Sequence, residues 1–154
     1  MTILITGASG FVGKALDSAC GARGHEVVHI IRKKVTRSNV STFQIDLSER
    51  GRSEQWQDAM LGIDVVVHLA GVAHTDYTES KEAESFYHRH NVIASENVIT
   101  EAYRAGVQRF VYLSSVKAVA ERSAISDDGM PIALSDNQVA HPEDIYGKSK
   151  YLAG

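Results

Sequence analysis

Tyr146 and Lys150 stand four residues apart, with Gly147, Lys148 and Ser149 between them. On a helix that spacing puts both side chains on one face. A tyrosine hydroxyl is a weak base at neutral pH, and a cation held beside it favours the phenolate. Such a pair can exchange a proton with an alcohol while a hydride moves to or from a nicotinamide. Y-x-x-x-K alone recurs by chance in many helices. It gains weight from two other features: Ser114-Ser115, at the end of an apolar run, and Gly7, Gly10 and Gly13 near the start of the chain. Those glycines suit a backbone that turns tightly, approaches a pyrophosphate and packs a following helix close to a sheet. Their spacing is G-x-x-G-x-x-G, whereas the commoner dinucleotide fingerprint is G-x-G-x-x-G, so the match is partial. A glycine-rich turn without a ligand is the competing reading.

At the end of the second strand a site for NAD normally offers Asp or Glu to the ribose 2′-hydroxyl, but this chain offers Ile31, Arg32 and Lys33. Two cations there suit the 2′-phosphate of NADP, with Arg preferred for its forked geometry. Arg32 and Lys33 therefore tilt the cofactor expectation from NAD toward NADP. The alternative is a solvated basic turn.

The elements that must position these residues follow from pattern. Ile3-Leu4-Ile5 reads as a strand running into the glycine turn, Lys14 to Arg23 as a helix closed by Gly24, and Glu26 to Ile31 as the second strand. Thr42 to Ile45 is a short third strand ending at Asp46, and Glu54 to Met60 a weak helix. Asp64 to Leu69 is apolar on both faces, as inside a parallel sheet. Phe86, Val92, Val98, Ile99 and Ala102 are spaced as the core face of a helix from about Ser80 to Ala105, and Gly106 stops it before the strand Arg109 to Leu113. The stretch from Ala124 to Glu143 reads as a surface loop, and a last helix begins near Asp144. Alternating strands and helices predict an α/β fold, a doubly wound parallel sheet in the order 3-2-1-4-5.

Composition sets the outer bounds. The chain has 154 residues, 44% of them apolar and 23% charged, which suits one globular domain over 1–154. Lys and Arg number 16 against 19 Asp and Glu, a net charge of -3, so no global field draws it to nucleic acid or an anionic membrane. Cys20 is the only cysteine, which excludes an intrachain disulfide and fits a reducing compartment. Met1 to Thr6 lacks the basic segment of a secretory signal, and the apolar run Val65 to Ala73 is too short for a membrane span. A cytoplasmic protein is expected.

Taken together, Thr6 to Gly13, Asp46-Leu47, Val67-His68-Leu69-Ala70-Gly71, Asn91-Val92, Phe110 to Ser115 and Tyr146 to Lys150 resemble the extended short-chain dehydrogenase/reductase superfamily. Within it the chain is similar to the NAD-dependent epimerase/dehydratase family, whose motifs it carries in order along its whole length. The resemblance implies a nicotinamide cofactor on a Rossmann fold. Gly7, Gly10 and Gly13 would then hold the pyrophosphate, Asp46 and Leu47 the adenine, and Leu69, Ala70 and Gly71 the adenosine and nicotinamide riboses, with Ser9, Phe11, Val12 and Arg32 among the further cofactor contacts. Ser115 would bond the substrate hydroxyl, Tyr146 would be the acid/base, and Lys150 would anchor the nicotinamide ribose and favour the phenolate. Asn91 would support the site from the long helix, and Asn91 and Tyr146, with Lys150, would count among the cofactor contacts.

Ile30-Ile31-Arg32, Val72-Ala73-His74 and Ser114-Ser115-Val116-Lys117 look most like enzymes of the UDP-glucose 4-epimerase type. The implied reaction is nucleotide-sugar 4-epimerisation through transient oxidation at C4. Two alternatives stay open: a UDP-N-acetylhexosamine 4-dehydrogenase or reductase of surface polysaccharide synthesis, and a non-catalytic dinucleotide-sensing module. Lys117 departs from the pattern, because many epimerases carry a small hydroxyl residue there. Family members also continue into a C-terminal substrate domain, so the chain is expected to be the N-terminal part of a longer enzyme, inactive by itself. In the family the long helices often pair across a dimer axis, which makes the full-length protein an expected homodimer.

Three other features have simpler readings. Ser114-x-x-Lys117 has the spacing of an acylating Ser-Lys hydrolase, but that motif would leave the glycine turn unexplained. His88 and His90 are two apart on a helix and do not share a face, so no metal site is expected there. His68 reads as a hydrogen-bonded structural histidine.

Overall fold

The computed structural model describes residues 1–32, 40–49, 53–73, 80–120, 123, 125–135 and 137–154. Lys33, Lys34 and His74 lie outside the described residues. The chain divides into two compact units: Met1–Gly71 with Ile93–Leu113, and Val72–Val92 with Ser114–Gly154.

The first unit is built on a five-stranded sheet of β1 (Thr2–Thr6), β2 (Glu26–Ile31), β3 (Ser41–Gln44), β4 (Val65–His68) and β5 (Arg109–Tyr112). Every pairing is parallel and the order is β3-β2-β1-β4-β5, as the alternation predicts. Thr6 pairs with Ile30 on one side and His68 on the other, so the carboxyl end of β1 lies at the switch between the two halves of the sheet.

Period two along the strands divides the core between the faces. Leu4, Val28, Ile30 and Val66 pack with Trp56, Ala59 and Met60 of α2 (Ser53–Met60) and Val98 and Ala102 of α4 (Ala94–Arg104). Ile3 and Ile5 face the other way, toward Val65, Val67, and Leu16 and Cys20 of α1 (Phe11–Ala22). Helix α1 begins three residues before the predicted Lys14, because Gly10 is already its N-cap.

The predicted helix Ser80–Ala105 has three parts: α3 (Lys81–Tyr87), a π-helical stretch His88–Ile93, and α4. A π turn holds an extra residue, so the stripe predicted with a single 3.6 period does not run through it unbroken. Val92, Val98 and Ala102 are buried as expected, Phe86 is half-buried, and Ile99 is 49% exposed, a correction to its core assignment. The buried α4 positions are Ala94, Ser95, Val98 and Ala102, which place Ile99 at the margin of the stripe.

The second unit carries α3, most of the π stretch, a 3-10 turn Val116–Ala118 and α5 (Ile145–Ala153). Asp144, the expected start of the last helix, is the N-cap of α5. Within the 124–143 loop, Ile125 and Pro131 form an isolated antiparallel bridge around a turn in which Gly129 has φ 80°.

Candidate active site

In the first unit β1 delivers the chain into the glycine turn. Gly7 has φ 71°, a left-handed conformation that side chains disfavour, and a β-carbon there would lie 2.7 Å from Ala70 N. At Gly13 a β-carbon would overlap Gly7 O and lie 2.7 Å from Ala8 Cα. The fold itself therefore demands glycine at 7 and 13. At Gly10 the backbone is extended, and an added β-carbon would meet only Gly7 O, at 3.2 Å. Packing makes a weaker demand there, which suits a position kept open for a ligand.

The start of α1 suits an anion. Gly10 gives no side-chain cap and the first turn holds no acidic residue, so the positive end of the helix is not neutralised from within. Phe11, 95% exposed, and the exposed Val12 form that first turn, and Ser9 beside them is exposed. These features fit the pyrophosphate of a dinucleotide.

Beneath the turn runs a buried polar chain. Ala70 N–H donates to Thr6 Oγ1 at 3.2 Å, Thr6 Oγ1 lies 2.6 Å from His68 Nδ1, and His68 Nε2 lies 3.0 Å from Ser95 Oγ. A Thr6 hydroxyl donating to Nδ1 leaves the Nε2 proton for Ser95, so a neutral histidine satisfies the chain. His68 is fully buried and stacked on Tyr112, which agrees with its structural reading. Pattern missed Thr6 and Ser95, since a hydroxyl inside an apolar strand or helix has no spacing of its own. Leu69 and Ala70 are half-buried after β4, and Gly71 is exposed.

Arg32 follows β2 and is exposed. Asp46, also exposed, accepts from Ser48 N–H at 3.0 Å and Ser48 Oγ at 2.8 Å, closing a small turn after β3. Asn97 Nδ2 donates to Leu47 C=O at 2.8 Å and ties this segment to α4.

The second unit brings together Ser115, Tyr146, Lys150 and Asn91. Ser115 N-caps the 3-10 turn, its Oγ accepting from Lys117 N–H at 3.3 Å. Asp144 caps α5, its Oδ1 accepting from Gly147 N–H at 2.5 Å. Half-buried Tyr146 lies in the first turn of that helix with its ring 6.0 Å from that of Tyr87, and Lys150 follows one turn on. Lys150 is only 6% exposed, and this burial pulls its ammonium down from 10.5 to about 8.

Asn91, in the π stretch, is 1% exposed. Its Oδ1 accepts from Val72 N–H at 2.7 Å, and its Nδ2 donates to Val72 C=O at 3.0 Å and to Ser149 Oγ at 2.8 Å. Ser149 Oγ in turn donates to Tyr146 C=O at 2.7 Å. Asn91 thus bonds protein groups of the second unit. Ser149 carries no role in the sequence reading, and Asp144 enters it only as the start of the last helix.

Among the described residues no cluster of His, Cys, Asp and Glu could hold a metal ion, and no helix is long and apolar enough to cross a membrane.

The family model for the NAD dependent epimerase/dehydratase family matches residues 3–153. A UDP-glucose 4-epimerase of Vibrio cholerae is 32% identical over 152 residues, covering 97% of this chain and 44% of that protein. A 4-hydroxy-2-methyl-3-oxo-4-farnesyl-3,4-dihydroquinoline-1-oxide ketoreductase of Stigmatella aurantiaca is 31% identical over 144 residues, 92% of this chain and 39% of the relative. Among solved structures, MoeE5 in complex with UDP-glucose and NAD superposes with a TM-score of 0.79 at 26% identity, covering 99% of this chain and 46% of that one. The chain thus spans less than half the length of these relatives. A parallel sheet with a glycine turn at its switch point, a tyrosine and a lysine one helical turn apart, and a family match over nearly all residues lead to one conclusion: the chain belongs to the NAD-dependent epimerase/dehydratase family.

Proposed function

We propose that residues 1–154 form the NAD(P)-binding part of a longer nucleotide-sugar 4-epimerase that acts on a UDP-hexose. The observation that carries this reading is the set of Ser115, Tyr146 and buried Lys150 in one compact unit of a chain from this family. The 32% identity to a UDP-glucose 4-epimerase supports the substrate class.

Gly7, Ser9, Gly10, Phe11, Val12 and Gly13 bind the pyrophosphate through the backbone, and Asp46, Leu47, Leu69, Ala70 and Gly71 receive the nucleosides. When bound, the nicotinamide supplies the acceptor and donor of hydride. The Tyr146 phenolate takes the proton of the sugar C4 hydroxyl as the C4 hydride leaves, so alcohol becomes ketone, and it returns the proton when hydride comes back. Ser115 orients that hydroxyl. Lys150 favours the phenolate electrostatically and holds the nicotinamide ribose. Exposed Arg32 favours NADP over NAD by pairing with the 2′-phosphate.

A second reading, net 4-dehydrogenation or reduction of a UDP-N-acetylhexosamine, is favoured by Lys117 at the position where many epimerases carry a small hydroxyl. The test incubates the complete protein with UDP-glucose or UDP-N-acetylglucosamine and either oxidised cofactor, beside Tyr146→Phe. A C4 epimer without net nicotinamide reduction is expected, and Tyr146→Phe slows it about 10²–10⁴-fold. Stoichiometric nicotinamide reduction selects the dehydrogenase. Cofactor binding without turnover of any sugar selects a sensing module.

A further inference from the structure

Lys117, the residue that departs from the epimerase pattern, has a specific partner. Its Nζ lies 2.5 Å from Asp144 Oδ2, while Asp144 Oδ1 accepts from Gly147 N–H, also at 2.5 Å. One carboxylate therefore grips two elements. One oxygen caps the helix that carries Tyr146 and Lys150, and the other holds the residue two after Ser115.

The surroundings are built for this contact. A β-carbon at Gly147 would overlap Lys117 O and lie 3.0 Å from Asp144 Oδ1, so the 3-10 turn is seated directly on the first turn of α5. His141 N–H donates to Val119 C=O at 2.7 Å and ties the two segments again just beyond. Burial works against the charge on Asp144, but bonds from Lys117 and Gly147 N–H outweigh it and hold its carboxyl below the usual range. The Lys117 side chain is 39% exposed, and an ion pair of that exposure contributes little to global stability. Its value lies in register.

We propose that Lys117 and Asp144 are a positioning pair for the reaction: an ionic splint that sets the Ser115 hydroxyl against Tyr146. The proposal rests on the reading of Ser115 and Tyr146 as the residues that meet the substrate hydroxyl. Ser115 and Tyr146 sit on separate segments, 31 residues apart in sequence, and need a common reference to address one atom. Small misplacement of reacting groups is costly in rate, and a charged cross-link between their two supports restricts it. Lys117 and Asp144 touch neither substrate nor cofactor in this role.

The test separates the splint from the cap. In Asp144→Asn the side-chain oxygen still accepts from Gly147 N–H, since Asn caps as well as Asp, but the charge is gone. Lys117→Met removes the ammonium and keeps most of the stem, and Lys117→Arg restores a cation. Melting temperature and Gly147 amide exchange are measured without ligand, and kcat with UDP-glucose together with KM for the sugar and for the cofactor in the complete protein. Asp144→Asn and Lys117→Met should each lower kcat by about ten- to a hundredfold with KM for the cofactor unchanged. The double variant should be no slower than either single one, Lys117→Arg should recover much of the rate, and Gly147 exchange should stay protected in Asp144→Asn. Wild-type kcat in folded Asp144→Asn and Lys117→Met overturns the splint. So does a loss of kcat that tracks only falling melting temperature and lost Gly147 protection. Should Lys117→Met fail to fold, Asp144→Asn and Lys117→Arg decide alone. If Tyr146→Phe keeps the wild-type rate, the functional reading itself has failed, a result distinct from failure of the splint.

Discussion

Lys150 combines 6% exposure with a full positive charge at neutral pH, so burial weakens its hold on the proton to about 8. A buried ammonium is a stability cost accepted for the site, and a methionine of similar length removes it. Lys150→Met should therefore remove this pH-dependent cost while abolishing turnover. The pH dependence has a definite sign. Below pH 8 the folded and unfolded chains both hold the proton, and the folded state bears the whole cost. As pH rises from 8 toward 10.5 the folded state loses the proton first, so wild-type stability climbs relative to Lys150→Met and the gap closes. Paired denaturation curves across that range are the check, and a constant gap would contradict the assignment of the cost to charge. The Tyr-Lys spacing was legible because helical geometry makes residues four apart neighbours. The depth of Lys150 was not, because burial depends on what other segments lay over it.

The glycine turn is the element whose parts separate most cleanly. Gly13→Ala drives a methyl into Gly7 O and Ala8, a contact in which two backbones must shift, and should cost about 2–4 kcal/mol. Gly10→Ala meets one atom at 3.2 Å on a backbone that alanine adopts readily, and should cost about 1 kcal/mol or less. Dinucleotide affinity should rank differently, with Gly10→Ala losing at least about tenfold if the added methyl stands in the path of the phosphates. Chemical denaturation and calorimetric titration of the same variants supply both numbers. Gly10→Ala with wild-type affinity would remove the pyrophosphate from this turn. The long helix shows the opposite kind of legibility. Its ends were readable from Ser80, which accepts from Ala83 N–H, and from Gly106 at φ 74°. The π stretch His88–Ile93 was not, because the hydrophobic spacing on either side of an inserted residue still looks helical.

At the scale of the molecule, a net charge of -3 offers an anionic cofactor no long-range attraction. Any preference for the 2′-phosphate must come from local cations, of which Arg32 is described and exposed. NADPH binding should then weaken more steeply than NADH binding between about 0.05 and about 0.5 M salt, because exposed pairs are screened within a few ångströms at the upper limit. Arg32→Ala should bring the two slopes together. Calorimetry at several salt concentrations reads this directly, and equal slopes in the wild type would return the preference to NAD.

The glycine turn and the Tyr-Lys spacing were legible from near neighbours along the chain, and the strand order from the alternation of strands with helices. Period two sorted Leu4 from Ile3 and Ile5, and right-handed crossovers left few ways to arrange five parallel strands. The Thr6–His68–Ser95 chain, the grip of Asn91 on Val72 and Ser149, and the joining of Lys117 to Asp144 came into view with the folded chain. These contacts link residues 19 to 62 positions apart, and each exists only once folding has brought the partners together. A polar residue in an apolar segment carries no periodic signal of the partner that will satisfy it, so the chemistry of the site was readable while most of its scaffolding was not.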